Sequence, residues 1–181
     1  MDYIASELSF CDGIFTHPRN AAIFKDKVKS GIQAELSRRW RAEDRVSLLE
    51  DLAGRFGEKT VMETIDAIVW TSCRQDWEEN GRKSRDGNSL DVFLKELWEP
   101  LRGQGFQFTS ERRGPVVQFT VTRCPLAEEG RKLKIEKWLY HLACLTDEPS
   151  VTGFNPRVKF TRTRTLMQGH QVCDHCYTDA G

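Results

Sequence analysis

Gly105-Phe106-Gln107-Phe108-Thr109-Ser110-Glu111-Arg112-Arg113-Gly114-Pro115-Val116-Val117-Gln118-Phe119-Thr120-Val121 is where the hydrophobic period of the chain changes. Phe106 and Phe108 alternate with polar residues. After the turn at Arg113-Gly114-Pro115, Val117, Phe119 and Val121 fall on one face, the pattern of a β-hairpin with one side buried.

Before this stretch the period is helical. Phe24, Val28, Ile32, Leu36 and Trp40 recur every fourth residue and predict a core-facing helix. A second helix begins near Asp44, turns Leu48, Leu49, Leu52 and Phe56 inward, and meets Gly57, where a left-handed cap is expected. A third runs from about Glu58 to Glu79, with Val61, Ile65, Ile68, Val69 and Ser72 on one side and Trp70, Cys73 and Trp77 on the next. The polar run from Asn80 to Asn88 is a surface loop. Leu90, Phe93, Leu94, Leu97 and Leu101 mark a fourth helix, ended by Gly103 and Gly105.

Beyond the hairpin, Pro125 at a first-turn position, with Glu128 and Glu129 behind it, opens a helix with Cys124 as N-cap. Ile135, Trp138, Leu139 and Leu142 are its buried stripe, and it is expected to run to about Asp147. A loop with Pro149, Gly153 and Pro156 follows. Val158 to Thr165 and Val172 to Tyr177 then form a second hairpin around Gln168-Gly169. The expected fold class is α+β: a helical N-terminal half (1–104) packed on a small antiparallel sheet, with β-β-α-β-β order over 105–181, all as one domain.

Lys+Arg and Asp+Glu both number 27 in the 181 residues, so no global basic field favours nucleic acid or an anionic membrane. The start of the chain lacks a basic region followed by an apolar core, and no stretch approaches a membrane span, so a cytoplasmic location is expected. Cys11, Cys73, Cys124, Cys144, Cys173 and Cys176 are then expected mostly as thiols, in core, metal or catalytic roles. Cys73 reads as core. Cys11 and His17 precede the first helix without informative spacing. Trp40, Trp98 and Trp138 fit the core or a dimer face equally well, which leaves homo-oligomerisation open.

A two-residue turn at Gln168-Gly169 would pair Arg164 with Cys173, Arg162 with His175 and Phe160 with Tyr177 on one face, with Val172, Asp174 and Cys176 opposite. A guanidinium beside Cys173 would favour its thiolate, and His175 would move a proton or orient water. Two arginines suit an acidic substrate group. The plain alternative is a solvent face for both arginines and a core cysteine. At a helix N-terminus, Cys124 meets unpaired N–H groups that lower a thiol pKa, though structural caps are commoner than nucleophiles. His141 and Cys144 share a helix face with Asp147 a turn further on, either as a cluster that contacts ligand or as separate structural residues. Cys173-Asp174-His175-Cys176 has zinc or redox spacing, without a second Cys-x-x-Cys to complete a structural site.

The ordered strings Val121-Thr122-Arg123-Cys124-Pro125-Leu126, His141 to Asp147, and Thr165-Leu166-Met167-Gln168-Gly169-His170-Gln171-Val172-Cys173-Asp174-His175 resemble the L-2-amino-thiazoline-4-carboxylic acid hydrolase family. The matching positions are Cys124, Cys144, Asp147, Gly169, Cys173 and His175. Where members typically carry an acidic residue after the turn glycine, this chain has His170. The resemblance implies hydrolytic opening of a small sulfur heterocycle that carries an amidine-like carbon and a carboxylate. In that setting a thiolate, Cys173 or Cys124, attacks the ring carbon while His175 moves protons and Asp147 orients His175 or water. Alternatively, water attacks directly. Arg162 or Arg164 would clamp the carboxylate, with Cys144 and His141 as further substrate contacts. No cofactor is implied. The competing class is a sensor that binds zinc or iron through Cys124, Cys144, Cys173, His175 and Cys176, and a third reading is a ligand-binding domain without turnover.

Overall fold

Gly57 divides the first two helices of the computed structural model, which describes residues 42–180. Helix α1 is Ala42–Phe56 and α2 is Glu58–Lys83. Gly57 stands between them at φ 86° and ψ 133°. Its φ is positive as the sequence predicts, but the backbone is extended there rather than coiled into the left-handed helical region. The predicted helix over Phe24 to Trp40, and Cys11 and His17, lie outside the described residues.

Helix α2 is central, burying Val61, Ile65, Ile68, Val69, Ser72 and Cys73. Trp70 is 41% exposed and does not join Cys73 inside. The first four residues of the polar run expected as loop, 80–83, instead continue α2, and the shorter loop that follows ends at Ser89, whose hydroxyl accepts the Val92 N–H and caps α3 (Leu90–Gly103). Among the described residues no helix is long and apolar enough to cross a membrane.

The sheet has strands β1 (Gln107–Arg113), β2 (Val116–Arg123), β3 (Val158–Thr161) and β4 (Cys173–Asp179), all antiparallel, in the order β1-β2-β4-β3. The C-terminal strand is thus internal. Alternation explains the placement: Val117, Phe119 and Val121 on β2 and Cys173, His175 and Tyr177 on β4 are buried in register on one face. That face packs on α3, where Trp98 stacks on Phe119 with centroids 4.3 Å apart and meets Phe108 edge-on at 4.8 Å.

Three further expectations are corrected. The single helix from Pro125 to Asp147 is broken: α4 (Pro125–Leu133) ends at Lys134 in the left-handed region (φ 59°), and α5 (Glu136–Ala143) starts afresh. The loop predicted around Pro149 and Gly153 is instead a helical continuation, a 3₁₀ turn Cys144–Thr146 leading into α6 (Asp147–Phe154). Pro149 lies in the first turn of α6, where its missing N–H costs no intrahelical bond. The second hairpin is looser than predicted. Phe160 does pair with Tyr177, but β3 ends at Thr161, and the return to β4 runs through a 3₁₀ turn Leu166–Gln168 closed by left-handed Gly169.

Candidate active site

Residues far apart in sequence converge where the helical layer meets the buried face of the sheet. Alternation along β4 aims Cys173 and His175 inward, and Cys124 sits between β2 and α4 as its N-cap. The 3₁₀ turn supplies Cys144, α6 opens with Asp147, and the segment after β3 contributes Arg162. Together they line a cavity of about 160 Å³, completed by apolar side chains including Leu97, Trp98, Phe106 and Met167.

Asp147 is the hub of the polar wall. Its Oδ2 accepts a hydrogen bond from Arg162 Nη1 and lies 3.1 Å from His175 Nε2. Arg162 Nη1 also donates to the Cys144 carbonyl at 2.9 Å. The side chains of Arg162 and His175 are each 8% exposed and that of Asp147 21%, so this is a largely desolvated ion pair with an imidazole attached. With Nε2 turned to Asp147, the buried Nδ1 of His175 has no hydrogen-bond partner among the described residues. Trp98 lies edge-on to the imidazole at 5.1 Å and Phe160 is tilted against it at 5.9 Å, which restricts the ring.

The thiols are poised differently from the sequence expectation. Burial pushes Cys124 up to about 11, outweighing the N–H groups of Ala127 and Leu126 that pull it down. Desolvation therefore wins over the helix N-terminus. Burial also raises Cys173, against a hydrogen bond of 3.1 Å from the Leu166 N–H, and raises Cys144 well above an ordinary thiol. Asp147 adds to the rise at all three. Near neutral pH they are thiols.

A family model for L-2-amino-thiazoline-4-carboxylic acid hydrolase matches residues 37–177, which takes in every residue of the cavity. The chain belongs to this hydrolase family. Comparison with curated proteins gave no match.

In this family member the remaining candidates lie elsewhere. Arg164 does not stand beside Cys173: it is on the outer face, with Nε 3.2 Å from Asp174 Oδ2 and its side chain 55% exposed. The reason is the register, because the ladder ends at Thr161 and the two-residue turn does not form. His141 turns from Cys144 and Asp147 to α2, where its Nδ1 lies 2.6 Å from Asp66 Oδ1. Cys176 is half-buried on the face of β4 opposite Cys173. The set Cys124, Cys144, Cys173, His175 and Cys176 does not assemble as a cage: among the described residues no group of three or more His, Cys, Asp or Glu is placed to hold a metal ion. Sequence reasoning missed Trp98 as the wall against His175, because its helical stripe reads as core and nothing in that pattern names what it covers.

Proposed function

We propose that the chain hydrolyses a small, carboxylate-bearing cyclic amidine of the 2-amino-thiazoline-4-carboxylate type, with water activated by His175 and Asp147. One observation carries the reading: a single carboxylate at the wall of a mostly apolar cavity holds both a buried imidazole and a buried guanidinium. The reading requires the tautomer in which Nε2 donates to Asp147, so that Nδ1, without a partner among the described residues, accepts the proton. Water adds to the ring carbon between sulfur and nitrogen, and its proton goes to His175. The ring nitrogen takes that proton as its double bond to carbon becomes single. The new hydroxyl then gives up its own proton through His175, and the tetrahedral carbon expels the nitrogen, which takes up this second proton and leaves as a free amine. The ring C–N bond is broken and the carbon becomes a carbamoyl group on sulfur. The Nε and Nη2 groups of Arg162 carry no hydrogen bond among the described residues, and they suit the substrate carboxylate.

Protonated thiols favour attack by water over attack by sulfur. The Leu166 N–H on Cys173 Sγ is the feature that favours a covalent route instead. Incubation of the full chain with 2-amino-thiazoline-4-carboxylate, followed by mass spectrometry, tests both. Ring-opened product from the wild type and from Cys173→Ser, with none from Asp147→Asn, supports water attack. An adduct on Cys173 and an inactive Cys173→Ser move the chemistry to sulfur. No turnover by the wild type overturns the substrate reading.

A further inference from the structure

Arg162 reaches Asp147 from a stretch of chain that belongs to no strand. The β3 ladder stops at Thr161, opposite Cys176, and the next turn begins at Leu166. The intervening backbone is anchored by one carboxylate on the other side of the sheet. Asp174 Oδ1 accepts the N–H groups of Thr163 at 2.9 Å and Arg164 at 2.6 Å. Its Oδ2 accepts the Thr163 hydroxyl at 2.6 Å and Arg164 Nε at 3.2 Å. The Asp174 N–H returns a bond to the Arg164 carbonyl at 3.3 Å.

We infer that Asp174 is a positioning residue, whose carboxylate locks Thr163 and Arg164 and so holds the preceding Arg162 against Asp147. In β4, Asp174 lies between Cys173 and His175, whose side chains point into the cavity. One residue therefore ties the strand that carries the imidazole to the segment that carries the guanidinium. Two backbone N–H donors side by side demand an acceptor, and an ionised carboxylate satisfies both with lone pairs to spare. The same bonds hold the Asp174 carboxyl well below the usual range, against the opposing effect of burial. An amide here would turn its NH₂ toward donors or leave one of them unpaired.

The inference rests on the hydrolytic reading only for its kinetic readout. In a double-mutant cycle with 2-amino-thiazoline-4-carboxylate as the probe, Asp174→Asn is expected to lower kcat/KM about tenfold, and to add nothing in an Arg162→Ala background. Independently of turnover, the guanidinium Nε–H NMR resonance of Arg162 is expected to move in Asp174→Asn. Additive kinetic losses, or an unmoved Arg162 resonance in a folded variant, overturn the inference. Should the wild type fail to turn the probe over, the hydrolytic reading falls and the resonance alone decides the role of Asp174. Thr163→Val removes a single bond from an exposed side chain. It carries the same expectations at smaller size if Asp174→Asn does not fold.

Discussion

His175 Nε2 lies 3.1 Å from Asp147 Oδ2, the same oxygen that accepts Arg162, so imidazole and guanidinium compete for one atom of one carboxylate. Arg162 cannot lose its charge, so this oxygen of Asp147 always faces a cationic partner. Asp147→Asn removes the charge and keeps a carbonyl acceptor. Breaking a largely buried pair in this way is expected to cost about 3 kcal/mol, read by urea unfolding, and to lower turnover at least about a hundredfold. Arg162→Lys replaces a planar fork by a point charge that cannot serve Asp147 and the Cys144 carbonyl in the same geometry. It is expected to fall between wild type and Asp147→Asn in stability. An Asp147→Asn enzyme with full activity would remove Asp147 from the chemistry.

The thiols give the pH dependence. Their folded pKa values are raised, Cys124 to about 11, above the value of about 8.5 for an unfolded cysteine. A raised acid favours the fold in its neutral form. The contribution is fully present below about pH 8.5 and is lost as pH rises toward the folded values. Unfolding free energy is therefore expected to decline through the alkaline range, and a Cys124→Ala/Cys144→Ala/Cys173→Ala chain is expected to decline less. Iodoacetamide labelling at pH 7.5, mapped by peptide mass, should be slow at all three compared with the unfolded chain, and should accelerate with pH. Rapid labelling of any one near neutrality would mark a thiolate and return the chemistry to the covalent route.

Trp98 serves the core and the site at once, stacking on Phe119 and standing edge-on to His175. Trp98→Ala is expected to cost about 3–5 kcal/mol in denaturant unfolding, as for other large aromatic truncations. Trp98→Phe keeps a ring against Phe119 and should recover most of this. Because the indole also limits the tilt of His175, Trp98→Phe should lower kcat more than its stability loss accounts for. Equal activity in a stable Trp98→Phe protein would reduce Trp98 to packing.

Hydrophobic period carries local information, and the elements it reported were those whose burial is one-sided. Val117, Phe119 and Val121 had to lie together once the strand formed, and the same alternation put Cys173 and His175 on one face. What the period hides is an interruption that preserves the stripe. Lys134 breaks the helix while Ile135, Trp138, Leu139 and Leu142 still fall inward, and no glycine or proline marks the place. Pro149 and Gly153 did the opposite, advertising a loop inside a helix. The site followed the same division. Arg162 and Arg164 are equivalent by alternation, and only the tie to Asp174 separates the buried one from the exposed one. His141 was taken by Asp66, a partner 75 residues away on α2 that no local pattern discloses.

Gly153 shows why that helix carries a residue that looks like a loop signal. A Cβ at Gly153 would lie 2.3 Å from the backbone oxygen of Arg74, and one at Gly81 2.7 Å from that of Phe154, so α2 and α6 meet backbone to backbone. The obstructing atoms are main chain and cannot swing aside. Gly153→Ala must move α6, and overpacking of this kind costs about 1–3 kcal/mol even though alanine is the better helix former. Gly54 in α1 is the control, since nothing lies within 4 Å of its Cβ position. Gly54→Ala is expected to stabilise by about 0.5–1 kcal/mol, the ordinary gain in a helix. Asp147 opens the helix that Gly153 nearly closes, so a shift of α6 also moves the carboxylate away from His175 and Arg162. Gly153→Ala should therefore lose turnover at temperatures where it is still folded, while Gly54→Ala should not. Thermal unfolding and turnover measured side by side decide it, and a Gly153→Ala chain as stable and active as wild type would show that the two helices can part without disturbing the site.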